Sequence, residues 1–316
     1  MWQGILGHDL NVEKFHRAAQ RGRLFGSFLF VGPAGVGKKM FTFALAKTLF
    51  CKKRSPEVFE PCDNCPSCSV FPDHPDLFLI SKPKGKEKIP LELLNGPTGL
   101  YYEISRTPFM GNRKIAVIDD ADDLNPAGAN SLLKTLEEPQ SDSLLILLGT
   151  SATKQLPTIR SRCQIIRFAP LSPQNLGTVL HKIGACGSLE QGVRIAQSTN
   201  GGVEQAQDWN DESLELFRQK FEQMLSATQS DSVRLAMSMN EFIDSAGKEA
   251  QAKRNRSRIV FSMALGHDCT ALQKIESENA GNKKRFIRRI ERTLDALEQV
   301  GRNVSPALIV EHWANG

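Results

Sequence analysis

The sequence predicts an α/β domain built on a parallel sheet and followed by helical domains, and three observations lead to that class. Phe28–Val31 is a short apolar run, Gly32–Lys39 a glycine-rich loop, and Met40–Phe50 a stretch with helical spacing that includes Phe43, Leu45 and Leu49. Strand-length apolar runs recur at Asp76–Ile80, Lys114–Ile118, Leu144–Leu148 and Gln164–Phe168, and strands alternating with helices imply a parallel sheet covered on both faces. Beyond about Asn210 strand signals nearly vanish, while Phe286, Ile287, Ile290, Leu294 and Leu297 form a helical stripe.

Taken in order, the strand at Phe28–Val31 feeds the glycine loop and its helix. A cysteine-containing excursion, residues 51–68, interrupts the chain before the second strand. Lys82, Lys84, Lys86 and Lys88, interspersed with Pro and Gly, read as a charged loop. Asn125–Glu138 reads as a helix stopped by Pro139. Ser172 caps a helix that carries Pro173 at its first position. The expected domains are residues 1–168, a small helical lid over 169–209, and an all-helical domain over 210–316. A chain of 316 residues suits two or three such domains.

Hydrophobic residues make up 40% and charged residues 24%, an ordinary globular balance. The formal net charge of +5 gives no strong case for nucleic acid by itself. The N-terminal stretch lacks the basic start and apolar run of a signal peptide, and Leu144–Leu148 is far too short to cross a bilayer, so a cytoplasmic protein without membrane contact is expected.

Gly32-Pro-Ala-Gly35-Val-Gly37-Lys38-Lys39 matches the phosphate-binding P-loop up to its last position. Glycines let backbone N–H groups turn toward phosphate oxygens, and the following helix adds the positive end of its dipole. Lys38 would reach the β- and γ-phosphates. The next residue should be Ser or Thr, whose hydroxyl ligates Mg²⁺. Lys39 stands there instead, and an ammonium repels a cation. Either the site is unfit for Mg-assisted hydrolysis, or Lys39 swings to solvent and the metal is held another way. ATP and Mg²⁺ are therefore doubtful cofactors of this chain.

Ala116-Val-Ile-Asp119-Asp120-Ala-Asp122 supplies the other half of such a site. Asp119 ends a buried strand, where a Walker-B carboxylate holds Mg²⁺ through water. Asp120 occupies the place of a catalytic Glu and is one methylene shorter, which changes its reach to an attacking water.

Cys51, Cys62, Cys65 and Cys68 have the spacing C-x10-C-x2-C-x2-C, with turn-forming Pro61, Asp63, Asn64 and Pro66 between them. Four thiolates close a tetrahedral Zn²⁺ shell of structural type, and an iron–sulfur cluster is the alternative. Cys163, Cys186 and Cys269 lie far off and read as ordinary buried or surface residues.

Together these motifs resemble the AAA+ clamp-loader family of bacterial DNA polymerase III. Asn130-Ser-Leu-Leu-Lys-Thr-Leu-Glu-Glu-Pro139, His74-Pro-Asp-Leu, Leu156-Pro-Thr-Ile-Arg-Ser161-Arg162-Cys163 and Arg302-Asn-Val-Ser-Pro-Ala-Leu each resemble a segment of that family. The resemblance implies a RecA-like AAA+ domain, a lid and a helical collar. Hydrolysing gamma/tau members carry Thr or Ser where this chain has Lys39, and a lid arginine where Gln205 stands in Gly201-Gly-Val-Glu-Gln205-Ala. The departures resemble a non-hydrolysing member. That implies gamma/tau and delta subunits as partners in a five-membered ring, a sliding clamp, and primer–template DNA reached through the complex. It also implies that Arg162, with Arg160 as competitor, is an arginine finger serving a neighbour's ATP, and that Thr150 is a sensor-like residue. An active gamma/tau-like ATPase and a zinc-containing DNA-binding protein are the rival readings.

Lys253-Arg-Asn-Arg256-Ser-Arg258 and Lys283-Lys-Arg285 with Arg288 and Arg289 could contact DNA phosphates. The last 106 residues, however, hold 16 Lys/Arg against 15 Asp/Glu, which favours solvated, internally paired faces.

Overall fold

A computed structural model of the chain describes all residues except 1, 3, 56, 84, 138–142, 198, 200, 204, 205, 207–211, 227–230, 248, 275–279, 303 and 316. It divides into two compact units, residues 1–179 with 201–204, and residues 180–200 with 205–316. The segment expected as a lid is thus divided between them.

The first unit is built on a five-stranded sheet. In chain order the strands are β1 (Gly26–Val31), β2 (Leu77–Ile80), β3 (Lys114–Ile118), β4 (Ser143–Gly149) and β5 (Gln164–Arg167), and they lie side by side as β2-β3-β4-β1-β5. Every pairing is parallel, with Phe28 opposite Ile146 and Ala116 opposite Leu145. Alternate residues serve two cores. Phe28, Phe30, Ile115, Val117, Leu144 and Ile146 point to one face, Leu29, Val31, Ala116, Ile118, Leu145 and Leu147 to the other. Burial on both sides is why these strands read as continuous apolar runs rather than alternating ones. The edge strands are less apolar, and Gln164 and Arg167 of β5 are exposed.

Two helices flank the site. The helix Asp9–Gln20, which we label α1, carries Phe15 into the first core, 5.4 to 5.7 Å from the rings of Phe28, Phe30 and Phe41. No side-chain cap marks its start, and His8 precedes it. The helix α2, Lys38–Phe50, follows the P-loop as expected and begins two residues earlier than Met40. The helix after β3 runs Pro126–Glu137; Pro139, read as its stop, lies outside the described residues.

The second unit contains the helices Leu189–Gln197, Glu212–Ser226, Ser232–Asp244, Ala250–Lys274, Ala280–Gly301 and Pro306–Asn315, with no strand among its described residues. Its core gathers Phe221, Met239, Val260, Phe261, Val300 and Trp313. The helix Ala280–Gly301 is present, but the apolar stripe lies only partly on its inner face: Leu297 packs against the core, and Phe286 and Ile290 are half-buried. Ile287 and Leu294 are 44% and 51% exposed, whereas Arg289, Thr293, Ala296 and Val300 are buried. Polar pairing turns the helix this way. Arg289 Nε donates to Asp268 Oδ2 at 2.6 Å, and Trp313 Nε1 donates to Thr293 Oγ1 at 2.8 Å. No described helix is long and apolar enough to cross a membrane.

Candidate functional site

The P-loop sits between β1 and α2. At Gly32 a side chain would come within 2.3 Å of the Phe168 carbonyl oxygen, so only glycine lets the loop leave the sheet there. Gly35 and Gly37 have φ of 72° and 98°, and Gly37 opens α2 from this left-handed conformation. The loop is braced from outside. His8 Nε2 lies 2.7 Å from the Val36 oxygen, and the Val203 N–H donates to the Gly35 oxygen at 3.0 Å. The turn at Gly201–Val203 therefore lies on the loop; Gln205 lies outside the described residues. Neither His8 nor its helix was singled out by sequence, because the brace closes over 28 residues.

Inside the loop, Lys38 Nζ donates to the Gly32 and Pro33 oxygens, both at 2.7 Å. Lys39 is half exposed, yet its ammonium is paired. Its Nζ lies 2.9 Å from Asp119 Oδ2, spanning from the start of α2 to the end of β3. The carboxylate read as a metal holder is thus taken by an ammonium, and the donor set does not fit a divalent cation. Asp120 has φ 54°, a left-handed conformation that Asp tolerates better than most residues. Partial desolvation, and then the Asp119 charge, raise its carboxyl above the ordinary carboxylate value.

Thr150 is also engaged. Its N–H donates to Asp122 Oδ2 at 2.9 Å and its hydroxyl reaches the same oxygen, while Gln155 Nε2 donates to Asp122 Oδ1 at 2.6 Å. Asp122 thereby ties the end of β4 to the end of β3. Asp123 takes Lys82 at 2.5 Å and Lys88 at 3.6 Å, which ties down both ends of the charged loop.

Arg162 lies just before β5, its side chain 33% exposed. Its Nε donates to Glu137 Oε1 at 2.8 Å, and Nη1 donates to the Thr158 oxygen at 3.1 Å. Glu137 was quoted only as part of a motif, and its role as the guanidinium's partner emerges from the fold. Arg160 is exposed.

The four clustered cysteines converge. The sulfurs of Cys51, Cys62, Cys65 and Cys68 lie within 4.8 Å of one another. Tetrahedral thiolates at a Zn–S length of about 2.3 Å stand about 3.8 Å apart, so this donor set fits such an ion with slight contraction. The Cys62 N–H donates to the Cys51 sulfur at 3.3 Å. Burial raises the Cys65 thiol, but hydrogen bonds from the Cys68 and Lys52 backbone and from neighbouring thiols bring it down to about 6. Cys68 is pushed up to about 12 by burial and the Cys65 sulfur. Lys47 pairs with Asp63 at 2.6 Å, and Trp2 stacks on Phe59 and donates to its oxygen, which fastens the module to α2 and the N-terminus. Of the other cysteines, Cys163 and Cys186 are buried and Cys269 is exposed.

Two of the basic clusters are partly consumed internally. Lys253 pairs with Asp244 at 2.6 Å, the Arg256 guanidinium lies 4.6 Å over the Phe242 ring, and Arg289 is buried on Asp268.

A parallel sheet with a P-loop after β1 and a carboxylate at the end of β3 defines a protein of the P-loop nucleotide-binding class. The pattern of the DNA polymerase III delta subunit family matches residues 7–172, just over half of the sequence, and the chain belongs to that family. DNA polymerase III subunit delta' of Bacillus subtilis (strain 168) is 35% identical over 165 residues, 52% of this chain and 48% of that protein. The subunit delta' of Escherichia coli (strain K12) is 31% identical over 174 residues, 54% and 51% of the two chains. A subunit gamma/tau of Mycobacterium tuberculosis (strain ATCC 25618 / H37Rv) is 32% identical over 184 residues, 57% of this chain and 30% of that one. The chain spans about half the length of the curated delta' relatives it matches.

Proposed function

We propose that the chain is a non-hydrolysing subunit of a DNA polymerase III clamp loader, a delta-prime-type member that helps place a sliding clamp on primed DNA. The Lys39–Asp119 ion pair carries this reading, because it fills with an ammonium the place where hydrolysis needs a divalent cation. Residues 1–168 form the RecA-like AAA+ domain, 169–209 the lid, and 210–316 the collar that meets gamma/tau and delta subunits in a five-membered ring. Kinship to delta' subunits supports the assignment over a gamma/tau-like ATPase.

Arg162 serves as arginine finger for the ATP of a neighbouring subunit. A guanidinium that reaches a transferring phosphoryl group from another chain neutralises the charge developing there. In the free chain it rests on Glu137, so engagement in trans exchanges one carboxylate for a phosphate oxygen. The cysteine cluster holds a structural Zn²⁺ and takes no part in chemistry.

Turnover of radiolabelled ATP by the purified chain tests the reading. None above buffer is expected. Turnover that disappears in Lys38→Ala would overturn the non-hydrolysing assignment and favour the active ATPase.

A further inference from the structure

The fold family implies Mg²⁺ at the P-loop, and the residues here refuse it more thoroughly than one missing hydroxyl would. The carboxylates at the end of β3 can be accounted for one by one. Asp119 faces Lys39 at 2.9 Å. Asp122 accepts from the Thr150 N–H at 2.9 Å and Gln155 at 2.6 Å, with Lys154 at 3.9 Å. Asp123 holds Lys82 and Lys88. Asp120 follows Asp119 in a left-handed conformation, with φ 54°. Mg²⁺ demands near-octahedral oxygen ligands at about 2.1 Å and loses water reluctantly. It would have to displace a charge-assisted hydrogen bond and then sit beside the displaced ammonium.

The phosphate-binding half of the loop is nevertheless intact. Gly35 and Gly37 keep their left-handed turns, and Lys38 projects back across the loop onto the Gly32 and Pro33 oxygens. Two ammonium groups thus stand on adjacent residues at the start of α2, Lys38 on the loop carbonyls and Lys39 on the Asp119 carboxylate.

We propose that Lys39 is a tethered cation in the metal seat, so that the pocket takes a nucleoside triphosphate as the metal-free anion and discriminates against its Mg²⁺ complex. This rests on the reading of the chain as a non-hydrolysing P-loop subunit. The consequence is a sign. Mg²⁺ tightens nucleotide binding where a Ser or Thr hydroxyl helps to ligate it. Here excess Mg²⁺ weakens binding, because it withdraws the free polyphosphate that the two lysines recognise.

The test is calorimetric titration of ATP into the full-length chain, in buffer freed of divalent cations by resin and again with excess Mg²⁺. A soluble chelator is avoided because it would also strip metal from the cysteine cluster. The expected result is binding in the Mg-free buffer that weakens about tenfold or more in Mg²⁺. Lys39→Thr should reverse the sign, binding tighter with Mg²⁺ than without. Lys39→Met, which keeps the side-chain length and loses the charge, should weaken Mg-free binding without gaining Mg²⁺ dependence. Should the Thr variant fail to fold, the sign for the unaltered chain decides. Tighter binding of the unaltered chain in Mg²⁺, or binding in neither buffer, would overturn the inference. Hydrolysis during the titration would sink the non-hydrolysing reading, whereas Mg-tightened binding without hydrolysis would sink only this one.

Discussion

At the scale of single residues, the side chains that define the site act by what they occupy. Lys39 was legible as a misfit because the P-loop demands a hydroxyl there. Its partner was not, since eighty residues separate it from Asp119 and only the sheet order brings them together. Asp76 was read from the sequence as the start of a strand and as part of a motif, without a role of its own. Its buried carboxylate accepts from the N–H groups of Phe109 at 2.6 Å, Met110 at 2.8 Å and Gly111 at 2.8 Å. Burial raises its carboxyl, and these three bonds more than offset that, leaving it below the ordinary value of 3.8. Asp76→Ala should lower unfolding free energy by about 2–4 kcal/mol in urea titrations, since several buried donors lose their acceptor. A depressed folded pKa means that the stabilisation is present above the unfolded value and is lost as pH falls through the folded one. The difference between parent and variant should therefore shrink below about pH 4. A difference constant down to pH 2 would contradict this role.

At the scale of elements, the two units depend on different devices. The cysteine module lacks a large core of its own and is fastened by Trp2, Phe59 and the Lys47–Asp63 pair. Removing metal, or replacing Cys65 by Ser, should lower the melting temperature of the first unit, because metal binding is coupled to folding. An unchanged melting temperature in a metal-free preparation would argue against a structural ion. In the second unit, the helix Ala280–Gly301 was legible as a helix but its orientation only in part. Hydrophobic spacing favoured Ile287 and Leu294, yet the buried Arg289–Asp268 pair sets the inner face. Asp268→Ala should cost about 3–5 kcal/mol by stranding a buried guanidinium, measured by chemical denaturation. A loss below about 1 kcal/mol, the range of exposed pairs, would mean that the pair does not hold the helix. The helix α1 escaped notice for the opposite reason. Its apolar positions Val12, Phe15, Ala18 and Ala19 are spaced correctly but mostly small, and no capping side chain marks its start.

At the scale of the whole molecule, the sheet was the most legible feature. Strands buried on both faces leave unbroken apolar runs, and each expected strand lies within two residues of its observed bounds. What a single chain cannot spell out is a role exercised on another chain. Arg162, proposed above for such a role, is 33% exposed and bonds to Glu137 and to the Thr158 oxygen. The fold keeps the scaffold of a P-loop site in which Lys39 pairs with Asp119, and Arg162 just before β5 pairs with Glu137. The ATPase rate of the reconstituted loader carrying Arg162→Ala is therefore the most direct test. The account predicts intact assembly and turnover at the neighbouring site reduced on the order of 10³-fold, with Arg162→Lys a poor substitute. Assembly with turnover unchanged would contradict it.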